Sequence, residues 1–224
     1  MSDLERTIPP QIIEDDFYSL IISVASRSDI HTMLEIGSSA GEGSTEAFIT
    51  GMKMNPSSPV LYCLEISHAR YSELSAKFSN NPAIRCYNAS SVPERSFASE
   101  DEVLDFWLKR TSKFSTFPLP LVLSWLSQDK AYLNSADVPD NGITDIMEEN
   151  KIEQFDVVLI DGSEFTGKAE LDLIYGARIV LLDDIDTFKN YENFRRLSFD
   201  PIYDLKHENH TIRNGFAMFE KMKV

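Results

Sequence analysis

The stretch Met33 to Thr45, MLEIGSSAGEGST, constrains this chain more than any other. An apolar run ends in an acid, Glu35, and passes into a turn carrying Gly37, Gly41 and Gly43, after which helical spacing begins at Ser44. Strand, tight turn and helix in that order let backbone N–H groups and a helix N-terminus come close to a polar ligand. A second apolar run, Val60 to Leu64, closes on Glu65. That is where nucleotide-binding α/β sheets place the carboxylate that grips ribose hydroxyls.

The same alternation continues along the chain. A helix is expected within residues 10–28, with apolar positions Ile13, Phe17, Leu20, Ile21 and Val24 at helical spacing. Strands are expected at Thr32 to Ile36, Pro59 to Leu64, Ala83 to Tyr87, Phe155 to Ile160 and Arg178 to Leu182. Two more are expected in the tail, at Pro201 to Leu205 and Gly215 to Phe219. Helices are expected at Ser44 to Lys53, Ser67 to Phe78 and Glu164 to Tyr175. FDVVLI, at Phe155 to Ile160, is continuously apolar, as a parallel strand covered on both faces must be. The pattern defines a Rossmann-like α/β fold, a doubly wound and mostly parallel sheet in one domain over residues 1–224.

Between the third and fourth strands a short crossover would suffice, yet residues 92–154 intervene. Ser99 and Glu102 form a capping box ahead of Val103, Leu104, Phe106, Trp107 and Leu108 at helical spacing. Leu119 to Tyr132 reads as a second helix, and Pro139 as the start of a third. So long an insertion serves as a lid, an oligomer contact or a stabilising layer. Its aromatic residues Phe97, Phe106, Trp107, Phe114, Phe117, Trp125 and Tyr132 read first as core and second as a pocket wall.

A net charge of −15 argues against nucleic acid or an anionic membrane as the main partner. Cys63 and Cys86 fall in expected strands and read as reduced core residues. The N-terminal MSDLERTIPP lacks the pattern of a secretory signal, and no apolar run reaches the ~18 residues of a membrane span. A cytoplasmic protein with a small-molecule substrate is therefore expected, its homo-oligomeric state open.

The turn also narrows the ligand. Dinucleotide sites want Gly-x-Gly-x-x-Gly, but Gly37-Ser38-Ser39-Ala40-Gly41 puts a side chain at the second glycine, where a pyrophosphate needs bare backbone. The acid-x-Gly-x-x-x-Gly pattern instead resembles motif I of class I S-adenosylmethionine-dependent methyltransferases. The resemblance covers about Thr32 to Ser91 and Phe155 to Phe219. It implies S-adenosyl-L-methionine as cofactor, held by Glu35, Gly37, Ser38, Ser39 and Gly41 at the methionine part. Glu65 would take the ribose and Ala89, Ser90 and Ser91 the adenine, with Ile66 also at the cofactor. FDVVLIDG, Phe155 to Gly162, resembles the family's fourth-strand motif with its terminal acid, Asp161, also at the cofactor.

Asp161 and the pair Asp183-Asp184 close neighbouring strands, and three carboxylates at one edge suit Mg²⁺. This is similar to the metal-dependent O-methyltransferases of the catechol and macrocin types. The resemblance implies Asp161, Asp183 and Asp184 as ligands of an ion that would hold and acidify an acceptor hydroxyl. Without a metal, the pair simply caps the strand. The expected acceptor is a small polar metabolite or a sugar. Candidate acid–base groups are Asp161, Glu164, Lys168 and His210; Glu164 stands where the wider family often has histidine. Two rival readings remain: a glycosyltransferase using Asp184-Ile185-Asp186, and a non-catalytic member of the fold.

Overall fold

The computed structural model describes residues 9–222. Seven strands form one sheet: β1 (Thr32–Ile36), β2 (Val60–Glu65), β3 (Ile84–Asn88), β4 (Val157–Ile160), β5 (Ile179–Asp183), β6 (Tyr203–Asn209) and β7 (Phe216–Lys221). Their spatial order is β3-β2-β1-β4-β5-β7-β6, so the winding reverses between β1 and β4. Strands β1 to β5 run parallel, whereas β7 is antiparallel to both β5 and β6. Ligands in open α/β sheets bind outside the carboxyl ends of the strands at such a reversal. The register delivers three sequence motifs there, because Ile36 lies opposite both Leu64 and Ile160. The residues that follow, Gly37, Glu65 and Asp161, leave the sheet at one level.

Every residue of β4 and β5 is buried, which explains their unbroken apolar runs. On one face Met33, Leu61, Val157, Leu159 and Leu181 pack with residues of α1 (Asp16–Ala25), α2 (Ser44–Met52) and α3 (His68–Phe78), among them Phe17, Phe48 and Leu74. Asp15 caps α1, its carboxylate accepting the Tyr18 N–H at 2.8 Å, so this helix begins later than the spacing alone suggested.

The insertion folds into α4 (Glu100–Lys109), α5 (Leu119–Ala136) and α6 (Gly142–Asn150). The expected capping box is present at Ser99 and Glu102. Helix α6 starts three residues beyond Pro139. Val103, Phe106, Phe114, Val122, Leu126 and Ile143 are buried in one cluster with Leu34, Val158 and Leu182, so the insertion is the sheet's second cover. Phe106 sets its ring edge-on to Phe114, Phe188 and Tyr191 at centroid distances of 5.8, 5.3 and 5.5 Å. Core is thus the main duty of these aromatics, as expected. Two elements depart from the sequence reading. Residues 164–166 form a turn ahead of α7 (Gly167–Ile174), and a helix α8 (Tyr191–Ser198) occupies a stretch where no helix is expected, although Tyr191, Phe194 and Leu197 recur at helical spacing. Among the described residues no helix is long and apolar enough to cross a membrane.

Candidate active site

The glycine turn after β1 is built by close packing. Gly37 has φ +90°, and a Cβ there would lie 2.2 Å from the Asp161 carbonyl oxygen, so only glycine lets β1 and β4 leave the sheet side by side. Gly37 and Ser38 donate their N–H groups to the Leu64 carbonyl at 2.9 and 3.1 Å, which ties the turn to β2. Ser39 then sits in the left-handed region, at φ +48°. Strained non-glycine backbone concentrates at functional sites. Here it aims the Ser39 N–H at Glu65 Oε2, 2.8 Å away. Ser67 N–H reaches Glu65 Oε1 at 2.8 Å, and burial raises the Glu65 pKa against these bonds. Each carboxylate oxygen keeps a lone pair for a further donor.

A cavity of about 270 Å³ opens between these parts. Gly37, Ser38, Ser39, Glu65, Ile66, Ala89, Ser90, Ser91 and Asp161 all line it, joined by Asp184. Ala89 to Ser91 is stitched to the insertion: Ser90 N–H donates to the Pro139 carbonyl at 2.9 Å, and Gly142 N–H to the Ser90 carbonyl at 2.8 Å. Ser91 Oγ is spent on Glu170 Oε1 at 2.6 Å. The insertion also sends Phe97 and Asp129 into the lining. Asp129 accepts the Ser163 hydroxyl at 2.5 Å, and burial raises its pKa. Phe97 was among the aromatics read as core or pocket wall, but Asp129 did not stand out in the sequence, since an isolated acid on a helix carries no local signal.

Several expected site residues lie elsewhere. Glu35 is fully buried beneath the turn, where Oε2 accepts the Thr45 hydroxyl at 2.7 Å and Oε1 has no hydrogen-bond partner among the described residues. Burial pushes its pKa up to about 7. It braces the start of α2 instead of lining the cavity. Gly41 faces Phe78 and Leu74 of α3, whose side-chain atoms would lie 2.6 and 2.8 Å from a Cβ, so its role is helix packing. Lys168 is exposed, pairs with Glu102 at 3.6 Å and borders a separate cavity of about 900 Å³ between α4, α7 and α8. His210 sits on the β6–β7 hairpin with Nδ1 2.8 Å from Asp186, outside the cavity. Glu164 lies behind the cavity wall, Oε1 accepting the Lys189 backbone N–H at 3.1 Å. Its pKa is pushed up to about 7 by burial, with the Lys189 charge pulling the other way.

Asp161, Asp183 and Asp184 do converge, with ligand atoms within 4.8 Å of one another. Their donor type suits a hard divalent cation, but each already has a charged partner. Lys189, 8% exposed, places Nζ 2.7 Å from Asp161 Oδ1 and 2.9 Å from Asp184 Oδ2. Arg213 donates to Asp183 Oδ1 at 2.7 Å, and Asn214 Nδ2 to Asp184 Oδ1 at 2.8 Å. These carboxylates hold the Lys189 pKa well above its ordinary value although burial opposes them. Asn190 fixes the segment, its Nδ2 donating to the carbonyls of Ile160 and Asp183 at 3.0 and 2.6 Å. Sequence reasoning missed Lys189. The available signal was a lysine and an asparagine directly after an acid-rich strand end, VLLDDIDTFKN. Asp186 points to His210 while Asp184 points to Lys189, so the two acids of the Asp-x-Asp pattern share no ligand position.

The fold is shared with solved methyltransferases. The chain is similar to an O-methyltransferase from Bacillus cereus solved in complex with SAH: TM-score 0.55, 12% identity, covering 96% of this chain and 84% of the other. It is equally similar to TomG from Streptomyces achromogenes, an O-methyltransferase involved in tomaymycin synthesis and solved with SAM, with TM-score 0.55, 12% identity and coverages of 96% and 84%. A putative caffeoyl-CoA O-methyltransferase from Staphylococcus aureus gives TM-score 0.54 at 12% identity, covering 94% and 85%. No family profile and no curated protein matches the sequence.

Proposed function

We propose that this chain is an S-adenosylmethionine-dependent methyltransferase acting on a hydroxyl of a small polar acceptor. The observation that carries the reading is the Glu65 carboxylate, oriented by the N–H groups of Ser39 and Ser67 and facing the same cavity as Asp161. When bound, the cofactor supplies a sulfonium methyl: the O–C bond forms as the S–C bond breaks, and that electron pair stays on sulfur. Glu65 would use its remaining lone pairs on the ribose hydroxyls of the bound cofactor, Ile66, Ala89 and Ser90 would hold its base, and the Gly37 to Ser39 backbone its methionine part. Asp161, whose pKa is raised by burial, takes the acceptor's proton. Asp129 and Phe97, which the insertion adds to the lining, would meet the acceptor, which favours a small acceptor with a polar group beside an apolar one. Holding the reactants in line can supply ~7–11 kcal/mol of barrier reduction at best.

Thermal unfolding with added ligands tests this. S-adenosylhomocysteine at about 100 times its dissociation constant adds ~2.7 kcal/mol of stability, and UDP-sugars and NAD add none. The gain disappears in Glu65→Ala. Stabilisation by a UDP-sugar alone would favour the glycosyltransferase reading; stabilisation by S-adenosylhomocysteine without transfer to any acceptor would favour the non-catalytic one.

A further inference from the structure

The carboxylates at the ends of β4 and β5 form a cluster of a type that ordinarily recruits a divalent ion. Here a side chain of the same chain enters it. Lys189 Nζ contacts both Asp161 and Asp184 at direct ion-pair distance, and its side chain is 7% exposed. The third carboxylate, Asp183, is held by Arg213, itself pinned by Asp15 from the N-terminal side. Three carboxylates thus meet two fixed basic side chains before any ion arrives. An entering Mg²⁺ would have to break both of these buried ion pairs, and the Lys189 backbone is itself held by the Glu164 carboxylate. Breaking such a buried pair leaves uncompensated charge, which is strongly unfavourable.

We propose that the Lys189 ammonium is a resident replacement for the divalent cation, gathering Asp161 and Asp184 and leaving one N–H for the acceptor oxygen, so that this site takes no metal. Lysine suits the task as a compact point charge with three donors, two of them used here. The segment that delivers it also reaches the second cavity, so Lys189 stands where the two cavities meet. This inference rests on the methyltransferase reading for its role in catalysis, but not for its account of the metal.

The test titrates Mn²⁺ into the full chain and counts free ion by electron paramagnetic resonance, with S-adenosylhomocysteine affinity measured on the same sample. The wild type is expected to leave Mn²⁺ free and to bind S-adenosylhomocysteine equally with Mn²⁺ or EDTA. Lys189→Met, which removes the charge but keeps the length, is expected to bind Mn²⁺ at least tenfold more tightly than wild type. Wild-type Mn²⁺ binding that Asp161→Asn abolishes would overturn the proposal, and that arm needs no folded Lys189 variant. Failure to bind S-adenosylhomocysteine would defeat the cofactor reading and leave the Mn²⁺ result to stand on its own.

Discussion

Glu35 gives the sharpest stability prediction. Its carboxyl is fully buried, one oxygen has no hydrogen-bond partner among the described residues, and its pKa is pushed from 4.5 up to about 7. A raised folded-state pKa means that the folded chain keeps a proton the unfolded chain releases. Stability therefore falls as pH rises from 4.5 to about 7 and levels off above that. At about 1.4 kcal/mol per unit the loss is ~3 kcal/mol. Glu35→Gln removes the ionisable group without changing its size. The amide N–H then meets the unpartnered side, a cost of ~1–3 kcal/mol that is the same at every pH. The informative quantity is thus the slope. The stability of Glu35→Gln relative to wild type should improve by ~3 kcal/mol between pH 4.5 and 8, measured by urea denaturation at intervals across that range. Glu164, also raised to about 7, is common to both proteins and cancels in the difference. A difference that stays flat with pH would refute the claim that a neutral carboxyl lies beneath the turn.

Two further outcomes are expected. Gly37→Ala forces a left-handed backbone on a residue with a Cβ and drives that carbon against the Asp161 carbonyl, costing ~2–5 kcal/mol and weakening S-adenosylhomocysteine binding together with stability; thermal melts and calorimetry read both, and a neutral substitution would refute the packing argument. Asp129→Asn keeps shape but removes a charge at the acceptor end, so once an acceptor is in hand its KM should rise while the S-adenosylhomocysteine dissociation constant stays put; equal weakening of both would place Asp129 at the cofactor instead.

Much of this architecture was legible because short parallel strands carry their signal locally. VVLI and IVLL can only be buried on both faces, and a glycine turn flanked by acids has few foldable contexts. The placement of Gly37, Glu65 and Asp161 at strand ends followed from the strand reading, and their link to a cofactor from the motif resemblance. What stayed hidden was anything set by three-dimensional convergence. Lys189 lies on a connection, Asp129 is a half-buried position of an inserted helix, and α8 reads YENFRRLS, with only Asn193 and Leu197 fully buried. Glu35 and Gly41 belong to the right motif, yet they serve packing, since a motif names positions and not the direction in which each side chain faces. The same holds for Lys168 and His210: proximity in sequence to a strand end did not bring either to the cavity.

The most direct measurement is a crystal structure of the chain with S-adenosylhomocysteine. The ribose hydroxyls are predicted to lie within ~3 Å of the Glu65 carboxylate, with the amino-acid part along Gly37 to Ser39 and the sulfur turned toward Asp161 and Lys189. A nucleoside bound anywhere else, or a cleft between Gly37 and Glu65 that stays empty at saturating ligand, would contradict the account.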